Sequence, residues 1–159
     1  MFNKTILQEI ANILFREQYT IAVAESVTAG LLQAALASAE NATIFFQGGI
    51  TAYNARQKYQ HLHVDVLHAV SCNCVSAFVA SEMAVAVSKS FTSDLGIGIT
   101  GYASPLPGHS MNPLYAFYAI SFKYEIVKAG EILAEPDEPS QVQLKYVNSI
   151  LLALRDTLK

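Results

Sequence analysis

The feature that most constrains this chain is a handover. A short apolar run, TIAVAE at 20–25, passes through SVTAG into LLQAALASA. The run has the length of a strand, and the segment after it is rich in Ala and Leu and reads as a helix over 28–39. The same alternation recurs. Residues 4–17 carry Ile6, Ile10, Ile13 and Leu14 at helical spacing. TIFFQGGITAY at 43–53 is β-branched and aromatic and reads as a strand, its Gly48-Gly49 pair marking a bulge or a close backbone approach. Residues 54–61 suit a short helix, and a polar loop follows through His63, Asp65 and Asn73. Residues 77–90 return to helical spacing behind Ser76 as N-cap. DLGIGITG at 94–101 reads as a strand, YASPLPGHSMNP as a loop, 115–122 and 125–133 as a hairpin, and 140–158 as a closing helix. Helices alternating with strands predict an α/β fold, a three-layer α/β/α sandwich in one domain spanning 1–159. The hairpin requires an antiparallel neighbour, so a mixed, mainly parallel sheet of about five strands is expected.

Composition removes whole classes of function. Of 159 residues, 52% are apolar and 14% charged, which sets the chain apart from disordered sequences. The net charge of −3, without clustered Lys or Arg, argues against nucleic acid as a partner. No segment offers the roughly 18 uninterrupted apolar residues of a membrane span, and the N-terminus lacks the pattern of a signal peptide. A cytoplasmic protein is therefore expected, and the small polar surface favours a homo-oligomer. Cys72 and Cys74 are too close for an easy disulfide and read as reduced thiols. His61, His63 and His68 match no tight ligand set, so no metal is expected.

Chemistry is expected outside the carboxyl ends of the strands, where AESVTAG, the end of TIFFQGGITAY and ITGYASP converge. A helix starting near Thr28 would aim its positive end at an anionic ligand. Ser26 or Thr28 could equally be plain helix caps, and Gly30 a packing glycine. In YNARQK, Lys58 follows Tyr53 by five residues. A desolvated lysine beside a serine can activate the hydroxyl, with the tyrosine relaying a proton or orienting the amine. The plain alternative is a solvated helix lysine and an edge aromatic. Glu25 could orient Lys58 or a ligand hydroxyl, or be structural.

Taken together these segments resemble the CinA C-terminal family, the nicotinamide-nucleotide amidases. AESVTAG is similar to that family's AESCTGG, and FFQGGITAYNARQK to its F-x-G-G-x-x-x-Y-S-N-x-x-K. CVSAFVASEMA and DLGIGITGYASP match two further motifs in the same order. The resemblance implies an amidohydrolase that converts nicotinamide mononucleotide to nicotinate mononucleotide and ammonia, without a cofactor. It implies Ser26 as nucleophile, Lys58 as base and Tyr53 as assistant. Contacts to a small-molecule substrate fall at Glu25, Thr28, Gly30, Gly49, Thr100 and Gly101.

The departures are informative. The glycine-rich loop of the family reads GYASPLPG here. Two arginines before its final helix fall at about Pro139 and Gln143, within EPDEPSQVQ. A phosphate-bearing substrate wants forked cationic donors, and Glu135, Asp137 and Glu138 would repel it from a shared pocket. Lys145 or Lys128 could substitute. The sequence thus leaves three readings: an active amidohydrolase, a binding module that has lost turnover, and a structural module that kept the fold.

Overall fold

In the computed structural model, which describes residues 1–159, a five-stranded sheet of order β2-β1-β3-β4-β5 separates two layers of helices. The elements are α1 (Lys4–Glu17), β1 (Ile21–Glu25), α2 (Leu31–Ala37), α3 (Ala42–Phe45) and β2 (Phe46–Thr51). They continue as α4 (Ala55–Leu62), α5 (Val66–Ser71), α6 (Ala77–Ser90) and β3 (Leu95–Gly101). The chain closes with β4 (Leu114–Phe122), β5 (Glu125–Ala134) and α7 (Pro139–Leu158). The pairings β1/β2 and β1/β3 are parallel, whereas β3/β4 and β4/β5 are antiparallel. Four strands therefore run one way and β4 alone runs against them.

Each layer follows from its residues. α1 buries Ile6, Leu7, Ile10, Ala11, Ile13 and Leu14, and the Asn3 side chain accepts the Ile6 N–H at its start. That face joins α7, α2 and one side of the sheet in the larger core, where Leu32, Phe45, Ile97, Tyr146 and Leu151 pack together. On the other side α6 lies directly on β3. A Cβ at Gly96 or Gly98 would strike the Ala84 or Ala80 carbonyl, so only glycine permits this approach. β1 is buried along its whole length because both edges are paired and both faces are covered. No helix is long and apolar enough to cross a membrane.

Three local expectations need correction. The first helix after β1 spans Leu31–Ala37 rather than 28–39, because the chain turns through Ala29 and Gly30 at positive φ. The strand expected over 43–53 begins at Phe46, behind the one-turn helix α3. Its register against β1 slips beside Gly48, as the glycine pair suggested. The polar loop after Leu62 contains α5, which the Asp65 carboxylate caps by accepting the His68 N–H at 2.7 Å. The β4–β5 hairpin turns on Lys123 and Tyr124, both at positive φ as a tight two-residue turn requires.

β2 and β3 flank β1 on opposite sides, so the chain passes from β1 to β2 and then crosses back over β1 to reach β3. The crevice at the carboxyl ends of β1 and β3 is the place where such sheets accept ligands.

Candidate active site

Ser26 is the first residue after β1. Its N–H donates to the Ile99 carbonyl of β3 at 3.1 Å, which ties the turn to the neighbouring strand. Lys58 comes from α4, a helix begun by Asn54, whose side chain accepts the Gln57 N–H. One turn later the Lys58 side chain points inward and is 1% exposed. Its Nζ donates to Ser26 Oγ at 2.8 Å and to the Ala52 carbonyl at 2.8 Å. Residues 32 positions apart in sequence are thus in direct contact. Burial holds the Lys58 amine below its ordinary pKa, because desolvation penalises the ammonium, and the nearby Cys74 thiol opposes part of that shift. The neutral amine is therefore easier to reach than in water, and it stands where it can take the Ser26 proton.

The other expected residues divide into two groups. Thr100 and Gly101, ending β3, share the cavity wall with Ser26 and Lys58. The Thr100 hydroxyl donates to the Cys74 carbonyl at 2.6 Å, and a Cβ at Gly101 would strike Ala116, so both fix the wall. Tyr53 also lines the cavity, but it is 68% exposed and its hydroxyl bonds to neither Ser26 nor Lys58. Glu25, Thr28, Gly30 and Gly49 lie off the wall.

Glu25 revises the reading of the turn. Its carboxylate accepts the N–H groups of Gly30, Leu32 and Gln33 at 3.1, 3.0 and 2.8 Å. The positive start of α2 is therefore already occupied by an anion, and that anion belongs to the protein. Neither Ser26 nor Thr28 caps α2 through its side chain. The Thr28 hydroxyl is buried without a partner. Gly30 adopts φ +100°, which favours glycine, and Gly49 sits too close to Val23 for a side chain.

The cavity encloses about 530 Å3, within the range of small-molecule sites. Sequence reasoning gave no role to Cys74 or Asn73, which the tight turn after α5 brings to this wall. It also could not show that Gln143 donates to the Val27 carbonyl at 2.8 Å, tying α7 to the turn that carries Ser26. Pro139 and Gln143 both line the cavity; Lys145, Lys128, Glu135, Asp137 and Glu138 do not. A larger depression of about 670 Å3 on the outer face of α6 includes His63, Glu82 and Lys89 but is open to solvent and holds no nucleophile–base contact.

Comparison with known proteins places this architecture. A family model described as the CinA C-terminal domain matches residues 3–158. A putative competence-damage inducible protein of Streptococcus pneumoniae is 36% identical over 119 residues, which are 74% of this chain and 28% of that protein. Protein MG115 of Mycoplasma genitalium is 43% identical over 94 residues, or 59% of this chain and 60% of its own length. The chain thus spans between about a quarter and three fifths of these relatives. Among solved structures, a competence or damage-inducible protein from Enterobacter asburiae superposes with a TM-score of 0.90 at 24% identity, covering 100% of this chain and 99% of the other. A CinA superfamily protein from Enterobacter cloacae gives 0.89 at 23%, covering 100% and 94%. At these identities the structures establish the fold alone.

Proposed function

The chain belongs to the CinA C-terminal domain family, and we propose that it is an amidohydrolase of small carboxamides with Ser26 as nucleophile and Lys58 as general base. The observation that carries the reading is the 2.8 Å contact between a buried lysine and a serine on the wall of a ligand-sized cavity. A structural ammonium would be expected to pair with a carboxylate; this one has a hydroxyl and a carbonyl.

The chemistry balances with these two groups and water. Ser26 Oγ attacks the carboxamide carbon while its proton passes to the neutral Lys58 amine. The N–H of Val27, which lines the cavity, engages no backbone carbonyl and stands next to the nucleophile, suited to receive the developing oxyanion. Collapse breaks the C–N bond as Lys58 returns its proton to the departing nitrogen, releasing ammonia. Water then attacks the acyl ester, again giving its proton to Lys58. Lys58 gives that proton to Ser26 Oγ as the ester C–O bond breaks, freeing the serine and releasing the carboxylic acid, which ionises to the carboxylate. Tyr53, at the mouth, shapes entry rather than relaying this proton.

The family resemblance makes nicotinamide mononucleotide the reference substrate and ammonia the product to follow. The test pairs that assay, run on a panel of carboxamides, with labelling by a sulfonyl fluoride, which reports an activated serine whatever the substrate. Modification at Ser26, together with ammonia release that disappears in Ser26→Ala, is expected. Folded protein that is neither labelled nor active would overturn the reading. It would favour the alternative of a ligand-binding module without turnover, to which the altered rim of the cavity points.

A further inference from the structure

We infer that the cavity takes a carboxamide carrying no phosphate or other anionic group, and that it discriminates against the phosphorylated form of the same molecule. This rests on the amidohydrolase reading above and concerns which substrate that site admits. The only charged side chain on the cavity wall is Lys58, and its ammonium is already committed to Ser26 and Ala52. Were it also to pair with a phosphate, it would be held protonated and lost as a base. The rest of the wall is apolar or neutral, including Val70, Leu106, Pro107, Asn73 and Gln143.

Of the helix starts near the cavity, that of α4 lies on the wall through Asn54 and Ala55, with the Asn54 side chain already accepting the Gln57 N–H, and those of α2 and α7 offer an anion little as well. α2 spends its first N–H groups on Glu25. α7 runs for 20 residues, long enough for its start to attract an anion, and its first residue, Pro139, lines the cavity. Yet it is preceded by Glu135, Asp137 and Glu138, all exposed. Asp137 accepts the Glu138 N–H at 2.7 Å, and the Glu138 carbonyl receives the N–H groups of Gln141 and Val142. A phosphate at this end of the wall would meet a proline ring that has no N–H to give, with exposed carboxylates just before it in the chain. It would lose its hydration without forked donors to replace it. An uncharged ring meets a wall that is neutral apart from Lys58.

The experiment compares nicotinamide riboside with nicotinamide mononucleotide, which differ by one phosphate, on the full chain. The first readout is kcat/KM from ammonia release. The second is calorimetric affinity for Ser26→Ala, so that a slow enzyme still gives an answer. The riboside is expected to exceed the mononucleotide by about tenfold or more in either readout. Gln143→Arg, which places a forked cation on the wall, is expected to narrow that ratio. A mononucleotide that is used or bound as well as the riboside, or better, overturns the inference. So does a protein whose Ser26 is labelled by the sulfonyl fluoride while neither compound is turned over or bound. In both cases the serine–lysine reading survives. Absence of labelling, turnover and binding together overturns both.

Discussion

The floor and the rim of the cavity are built on different principles. At the floor, Ser26 and Lys58 are almost wholly buried and are held by backbone contacts from β1, β3 and the segment after β2. At the rim, Tyr53, Ser104, Pro105 and Pro139 are exposed and belong to loops and helix ends. The floor is part of the core, so a change there costs stability as well as chemistry. The rim can change without disturbing the fold. The comparison teaches that the buried serine–lysine pair and the rim are separable in this domain. On the proposed reading, the pair can be kept while the residues around the mouth change.

The largest expected effect breaks the floor. Lys58→Met keeps the length of the side chain but removes the base, and hydrolysis should fall by about a thousandfold or more. The same variant changes the pH dependence of stability. Because the folded protein holds the Lys58 pKa below its ordinary 10.5, the unfolded chain binds the proton more readily. Stability should therefore rise with pH from the lowered value up to about 10.5, and urea melts across that window should lose this slope in Lys58→Met.

Next in size is a substitution beneath the floor. Glu25→Gln leaves one acceptor oxygen, and an unwanted NH2, where three backbone N–H groups now meet a carboxylate. It should cost about 1–3 kcal/mol in chemical denaturation and disorder the turn that presents Ser26. An unchanged melt would show that α2 needs no internal anion. The smallest effect lies at the boundary between floor and rim. Cys74 opposes the fall of the Lys58 pKa. Cys74→Ser should therefore move the rising limb of the activity–pH profile slightly toward lower pH. Movement in the opposite direction would remove Cys74 from the electrostatics of the base.

Much of this was legible beforehand, and unevenly so. Long elements with a clear period, such as α1, α6 and α7, follow from their apolar spacing. α5 did not, because six residues are too few for a period to show, although Asp65 three residues before His68 was a capping signal in plain sight. α3 hid because Thr43, Ile44 and Phe45 are strand-forming types, yet the chain coils there to tuck Phe45 into the core. Within the site, resemblance paired Ser26 with Lys58, but no spacing could reveal a 2.8 Å contact across 32 residues. Glu25 was read with two possible roles, and only the structure shows its carboxylate meeting three N–H groups. Cys74 joined the site through a left-handed turn at Asn73 and Cys74, which no local motif announces.

The central claim is that burial has made Lys58 a working base for Ser26. Its most direct test is the rate of sulfonyl fluoride modification of Ser26 as a function of pH, in the wild type and in Lys58→Met. The rate should rise with pH along a single limb whose midpoint lies below 10.5, and that limb should be absent from the variant. Equal rates in the two proteins, or no modification of Ser26 in either, would contradict it.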